Sequence, residues 1–174
     1  MVSSGCATVS PAAAAGWARS QSSHPPAVLA GVRAPGPSPY PASVILDQTL
    51  REELLAHARE DLPNECCGLI GGTPERASTV YRATNSEASP LRYNLDPADQ
   101  FRIISEIDSA GEELVAIYHS HTKSPAYPSQ TDVNLATYPG VVYVIVSLAE
   151  GEDEPIRGFL LEDGEVEEVA LESG

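Results

Sequence analysis

Four side chains stand close enough along the chain to share one piece of chemistry: His119, His121, Ser129 and Asp132. Leu114 to Tyr118 is a dense apolar run that reads as a strand, and it leads straight into His119-Ser120-His121. Residues i and i+2 of a strand face the same side. His119 and His121 therefore aim two imidazoles at one point, while Ser120 faces away. The chain has four histidines in all, and two of them end this apolar run. Ser129 has the character of a helix N-cap, which places Asp132 in the first turn. Capping alone accounts for that pair, yet a cap would also hold the carboxylate in a fixed direction. Two imidazoles and a carboxylate suit zinc. Three protein ligands leave a fourth position for water, the mark of a catalytic site. Bound zinc lowers the pKa of water to roughly 7. A base must then manage the proton, and this segment contains none.

The elements that must position these residues follow from hydrophobic spacing. Ser43 to Leu46 reads as a first strand. Asp47 caps a helix whose Leu50, Leu54, Leu55 and Ala58 recur at helical spacing, and Pro63 stops it. Cys66 to Ile70 reads as a buried strand closed by Gly71-Gly72, and Thr79 to Thr84 as another strand. Asn85 to Asn94 is a loop with an extended piece at Leu91 to Tyr93. Asp96-Pro97 opens a second helix, for which Phe101, Ile104 and Ile107 form the expected apolar stripe. Val141 to Leu148 is the strongest strand. Arg157 to Leu161 and Val166 to Leu171 form a hairpin over Glu162-Asp163-Gly164. The expected fold is mixed α/β: a mostly antiparallel sheet flanked by two main helices, with a short helix after the His-bearing strand.

Residues 1–41 differ in kind from the rest. They contain no acidic residue and seven of the fifteen prolines, with many Ala and Ser. They read as a disordered tail, with 42–174 as the folded domain. A signal peptide fits poorly, because the Ala-rich run from Pro11 to Ala18 is short and no basic residue precedes it. Met1 is the only methionine, so a mis-assigned start would place the true one at a Val or Leu codon, near Val44. All twenty-five acidic residues follow residue 41, against eight Lys and Arg, a formal charge of 8 − 25 = −17. Such a domain repels nucleic acid. No stretch approaches the ~20 apolar residues of a membrane helix, and a cytoplasmic protein is expected. Cys66 and Cys67 are adjacent, which argues against a disulfide between them; at least one is expected to be a buried small hydrophobe.

His119-Ser120-His121, with Ser129 and Asp132 at their spacing, resembles the signature of the JAMM (MPN-plus, Mov34-type) metallopeptidases. The resemblance spans roughly residues 43–171 and implies an MPN/JAB-like architecture, similar to that of cytidine deaminases. It also implies an acid on an earlier strand. The matching position is Glu65, in Pro63-Asn64-Glu65-Cys66-Cys67-Gly68; by itself this acid near a helix end would pass for a surface charge. The resemblance implies that His119, His121 and Asp132 bind one Zn²⁺. It makes Glu65 the general acid/base and Ser129 a hydrogen-bond donor to the tetrahedral intermediate.

Family members cleave amide or isopeptide bonds next to the C-terminal tails of ubiquitin-like proteins. The segments around His119 and Asp132 resemble the stand-alone bacterial branch. That branch includes actinobacterial hydrolases that release cysteine from a ubiquitin-like sulfur carrier by cutting after its terminal Gly-Gly. The expected partner is therefore a ubiquitin-like carrier or modifier ending in Gly-Gly, and a homodimer is compatible with the family. Tyr93 and Tyr127, in the two loops expected to line the groove, are candidate contacts for that tail. The first alternative is an isopeptidase that frees protein lysines of a modifier. A catalytically silent MPN scaffold is disfavoured because all five signature positions are filled. The DNA-repair-associated branch is disfavoured by Thr122-Lys123-Ser124 after the second histidine and by the acidic charge.

Overall fold

The computed structural model describes residues 42–174. The expected tail, residues 1–41, lies outside the described residues. Among the described residues, seven strands and three helices follow in the order β1 (Ser43–Ile45), α1 (Gln48–Glu60), β2 (Cys67–Thr73), β3 (Arg76–Ala83), α2 (Pro97–Ser109), β4 (Glu113–His121), α3 (Gln130–Leu135), β5 (Val142–Ser147), β6 (Ile156–Glu162) and β7 (Glu165–Glu172).

The strands close into a barrel in the order β1-β3-β2-β4-β5-β6-β7. Antiparallel pairs join β2 to β3 and β4, and β6 to β5 and β7. Parallel pairs join β4 to β5 and β1 to both β7 and β3. The mixed, mostly antiparallel sheet matches the reading from spacing. Its closure through β1 does not follow from that reading, because strand periodicity does not name a strand's partners.

Strands β4 and β5 are apolar almost throughout because both their faces are covered. On one side, Tyr118, Val142, Val144 and Val146 pack with Leu50, Leu54 and Ala58 of α1. On the other, Ile117, Tyr143 and Ile145 pack with Ile103 and Ile107 of α2. Fully burying an aliphatic or aromatic side chain contributes roughly 1.5–3 kcal/mol. The adjacent cysteines divide between the two sides, Cys66 with α1 and Cys67 with α2. Both are free and fully buried, and burial pushes their thiols up to about 11 and about 12. They act as small hydrophobes rather than nucleophiles.

Two expectations need correction. Gly71-Gly72 does not close β2; the strand runs on to Thr73, with its register shifting at these glycines. A Cβ at Gly72 would collide with the Arg76 carbonyl, so the close approach of β3 requires glycine there. In α2, Ile103 and Ile107 form the buried stripe, whereas Phe101 is 76% and Ile104 38% exposed. The helix touches the sheet along a narrow i, i+4 line, and the parallel 101/104 row turns outward. The Asp-Gly turn is as expected: Asp163 and Gly164 both take positive φ, 50° and 84°.

The parallel pairing of β4 and β5 places the chemistry. Parallel neighbours cannot be joined by a tight turn and need a crossover. Here the crossover spans residues 122–141 and contains α3, which returns Asp132 to the end of β4 where His119 and His121 stand.

Candidate metal centre

His119 and His121 lie on the same face of β4 as Ile117, and both are buried. The loop after them is held tightly. His121 Nδ1 lies 2.9 Å from the Pro125 carbonyl oxygen, to which it can donate. The Ser147 hydroxyl donates to the Ser124 carbonyl at 2.8 Å. That of Thr122 donates to the Pro90 carbonyl at 3.1 Å. Ala126 is fully buried. The loop delivers Ser129 as the N-cap of α3 with a complete capping box. The Asp132 N–H donates to Ser129 Oγ (3.2 Å), and the Ser129 N–H donates to Asp132 Oδ2 (2.7 Å). The cap therefore aims the Asp132 carboxylate, and the Ser129 hydroxyl still has its proton to donate.

Three side chains converge. His119 Nε2 is 3.2 Å from His121 Nε2. Asp132 Oδ1 is 3.4 Å from His119 Nε2, and its Oδ2 is 3.4 Å from His121 Nε2. Ligands about 2.0–2.1 Å from a tetrahedral ion stand about 3.3 Å from one another, so the arrangement fits a zinc ion. All three residues are buried, Asp132 at 7% exposure being the least so. Burial alone would drive the Asp132 carboxyl up, but hydrogen bonds from His119, His121 and Ser129 bring it well below the carboxylate range. Burial pushes His119 down, favouring the neutral ring that a metal requires. Burial works the same way on His121, but Asp132, the Pro125 carbonyl and Glu65 more than offset it.

Glu65 comes from the segment before β2, which the β2–β4 pairing sets beside the histidines. Cys67 lies opposite His119 in that register. The Cys66 N–H donates to Ser120 Oγ at 2.8 Å, so the residue between the two histidines ties down the neighbour of Glu65. The Glu65 N–H donates to the Ser89 carbonyl, and its own carbonyl accepts from the Asn85 side chain, at 2.9 and 2.8 Å. Glu65 is 4% exposed. Burial raises its carboxyl to about 7, with His121 pulling down and Asp132 pushing up. A carboxyl that titrates near neutrality can both take and give a proton at working pH.

Two residues carry structure that spacing does not reveal. Buried Asn85 donates to the carbonyls of Glu65 and Arg92 and accepts from the N–H groups of Glu87 and Asn94. It binds the loop 85–95 to the Glu65 segment. Tyr93 stacks on His119, with centroids 4.2 Å apart and planes within 18°. Tyr127, in contrast, is half-exposed and packs edge-on against Phe159 beneath the Arg157 guanidinium. The paired candidates thus separate: one touches the histidine cluster and the other faces solvent.

The family described as prokaryotic homologues of the JAB domain matches residues 47–159. The chain belongs to this family. The CysO-cysteine peptidase of Mycobacterium tuberculosis (strain ATCC 25618 / H37Rv) is 41% identical over 128 residues, 72% of this chain and 87% of that relative. The probable TtuB-protein conjugate cleaving protease of Thermus thermophilus is 37% identical over 148 residues, 84% of this chain and 94% of that relative. A protein of Desulfitobacterium hafniense, solved in solution, is 36% identical with a TM-score of 0.68, over 74% of this chain and 90% of that one. This JAB domain is a hydrolase of the JAMM type. No helix among its described residues is long and apolar enough to cross a membrane.

Proposed function

We propose that this JAB domain, residues 42–174, uses one zinc ion held by His119, His121 and Asp132. It cleaves the bond after the C-terminal Gly-Gly of a ubiquitin-like sulfur carrier and releases cysteine. The observation that carries the metal reading is the convergence of three buried side chains: the two Nε2 atoms stand 3.2 Å apart, and each lies 3.4 Å from one oxygen of the Asp132 carboxylate. When bound, zinc supplies the Lewis acidity that makes water nucleophilic at neutral pH and polarises the scissile carbonyl.

The chain's own residues do the rest. Glu65 takes the proton of the attacking water and delivers it to the departing amine. Its desolvated carboxyl suits both halves of that task. Ser129, whose oxygen is engaged by the Asp132 N–H, directs its hydroxyl proton to the oxygen that gains charge in the transition state. Pro125 and the α3 cap hold His121 and Asp132 while charge moves.

The mycobacterial relative's name supports cysteine release; the Thermus relative's name favours the second reading, removal of a modifier from protein conjugates. A direct competition distinguishes them. Purified protein with zinc is offered a carrier–cysteine adduct and the same carrier joined to a protein lysine. The first reading expects faster release of free cysteine. An untouched cysteine adduct beside a cleaved conjugate would replace it with the second.

A further inference from the structure

The two imidazoles facing Asp132 are supported differently. His121 has the Pro125 carbonyl at its Nδ1. His119 is fully buried, and among the described residues its Nδ1 has no hydrogen-bond partner. A metal-binding histidine usually gives its second N–H to a carboxylate or carbonyl, which fixes the ring's rotation and the direction of its lone pair. His119 lacks that support, and Tyr93 lies flat against its ring instead.

The loop carrying Tyr93 is fixed on both sides of it. The Asn85 side chain donates to the Arg92 carbonyl and accepts from the Asn94 N–H, so one buried amide brackets the tyrosine. Tyr93 also packs against the apolar cluster that holds Ile117 and Ile145. The backbone on either side of it is thereby fixed, and its ring lies between the histidine and that cluster.

We propose that Tyr93 is a positioning residue for His119, its stacked ring replacing the missing hydrogen bond as the element that sets the imidazole plane. The face of a phenol ring is electron-rich, and it favours an imidazole that gains positive charge on binding a cation. The proposal rests on the metal reading above. It also moves Tyr93 from the substrate groove, where its sequence position suggested a tail contact, to the metal centre.

The test uses Tyr93→Phe, which keeps the ring, and Tyr93→Leu, which keeps bulk without an aromatic face. Zinc affinity is measured by competition with a chelator, and the visible absorption of the Co²⁺-substituted protein reports ligand geometry. Tyr93→Leu is expected to weaken zinc binding by about 10–100-fold, the usual cost of losing a ligand's outer support, and to alter the Co²⁺ spectrum. Tyr93→Phe is expected to restore both. Should the Leu variant fail to fold in a thermal melt, Tyr93→Met and Tyr93→Trp provide the same contrast. Wild-type affinity and spectrum in the Leu or Met variant would overturn the proposal and return Tyr93 to packing or substrate contact. Wild-type protein that binds no zinc would instead remove the metal reading on which the proposal stands.

Discussion

Three histidines are buried among the described residues, and the two faces of β4 hold them in opposite ways. Behind the strand, His57 of α1 uses both ring nitrogens within the protein. Its Nδ1 is 2.8 Å from the Tyr118 hydroxyl, and its Nε2 is 3.5 Å from Asp61 Oδ2. In front, His119 and His121 point their Nε2 atoms at each other and at one carboxylate. Tyr118 and His119 are chain neighbours, yet alternation sends one to each environment. A buried histidine whose nitrogens are already engaged is part of the fold. A buried pair converging on a shared carboxylate could hold a cation.

If the two regions differ in this way, substitutions should separate them cleanly. His121→Ala should abolish stoichiometric zinc, measured by elemental analysis, and reduce hydrolysis to background while the protein stays folded. His57→Ala should do the reverse. Leaving the buried Tyr118 hydroxyl without its partner should cost about 1–3 kcal/mol in denaturant unfolding, with zinc content unchanged. Zinc loss in the His57 variant would dissolve the distinction.

The smallest expected effect is a proton linkage. Burial, with help from Arg82, pulls His57 below its ordinary pKa of 6.5, and Asp61 and Glu60 only partly oppose this. Above pH 6.5 the ring is neutral both folded and unfolded, and its contribution is fully present. As pH falls below 6.5, the unfolded chain takes up a proton that the folded one refuses, so stability falls. Wild type should therefore lose stability more steeply than His57→Phe as pH falls below 6.5, in paired denaturant titrations. Parallel slopes would mean that His57 titrates alike in both states.

Legibility in the sequence followed the range of each contact. The direction of His119 and His121 is a property of one strand, and that of Asp132 a property of one cap; both can be read from local spacing. Glu65 reaches the centre only through the β2–β4 register, a pairing that nothing in its own neighbourhood encodes. Resemblance to the JAMM signature was the only guide to it. Asn85 and Tyr93 act from a loop with no periodicity at all, so the amide that brackets Tyr93 left no signal. The apolar row of α2 shows the opposite failure. Phe101-Ile104-Ile107 and Ile103-Ile107 are both helical spacings, and only the position of the sheet chooses the second.

In the proposed mechanism one buried carboxyl, Glu65, moves the proton at a zinc centre it does not help to hold. Glu65→Gln tests it most directly, with zinc content and hydrolysis of the carrier–cysteine adduct measured on one preparation. The Gln variant is expected to keep full zinc occupancy with kcat reduced by about 10²–10⁴. A Gln variant that keeps its zinc and turns over at the wild-type rate would contradict it.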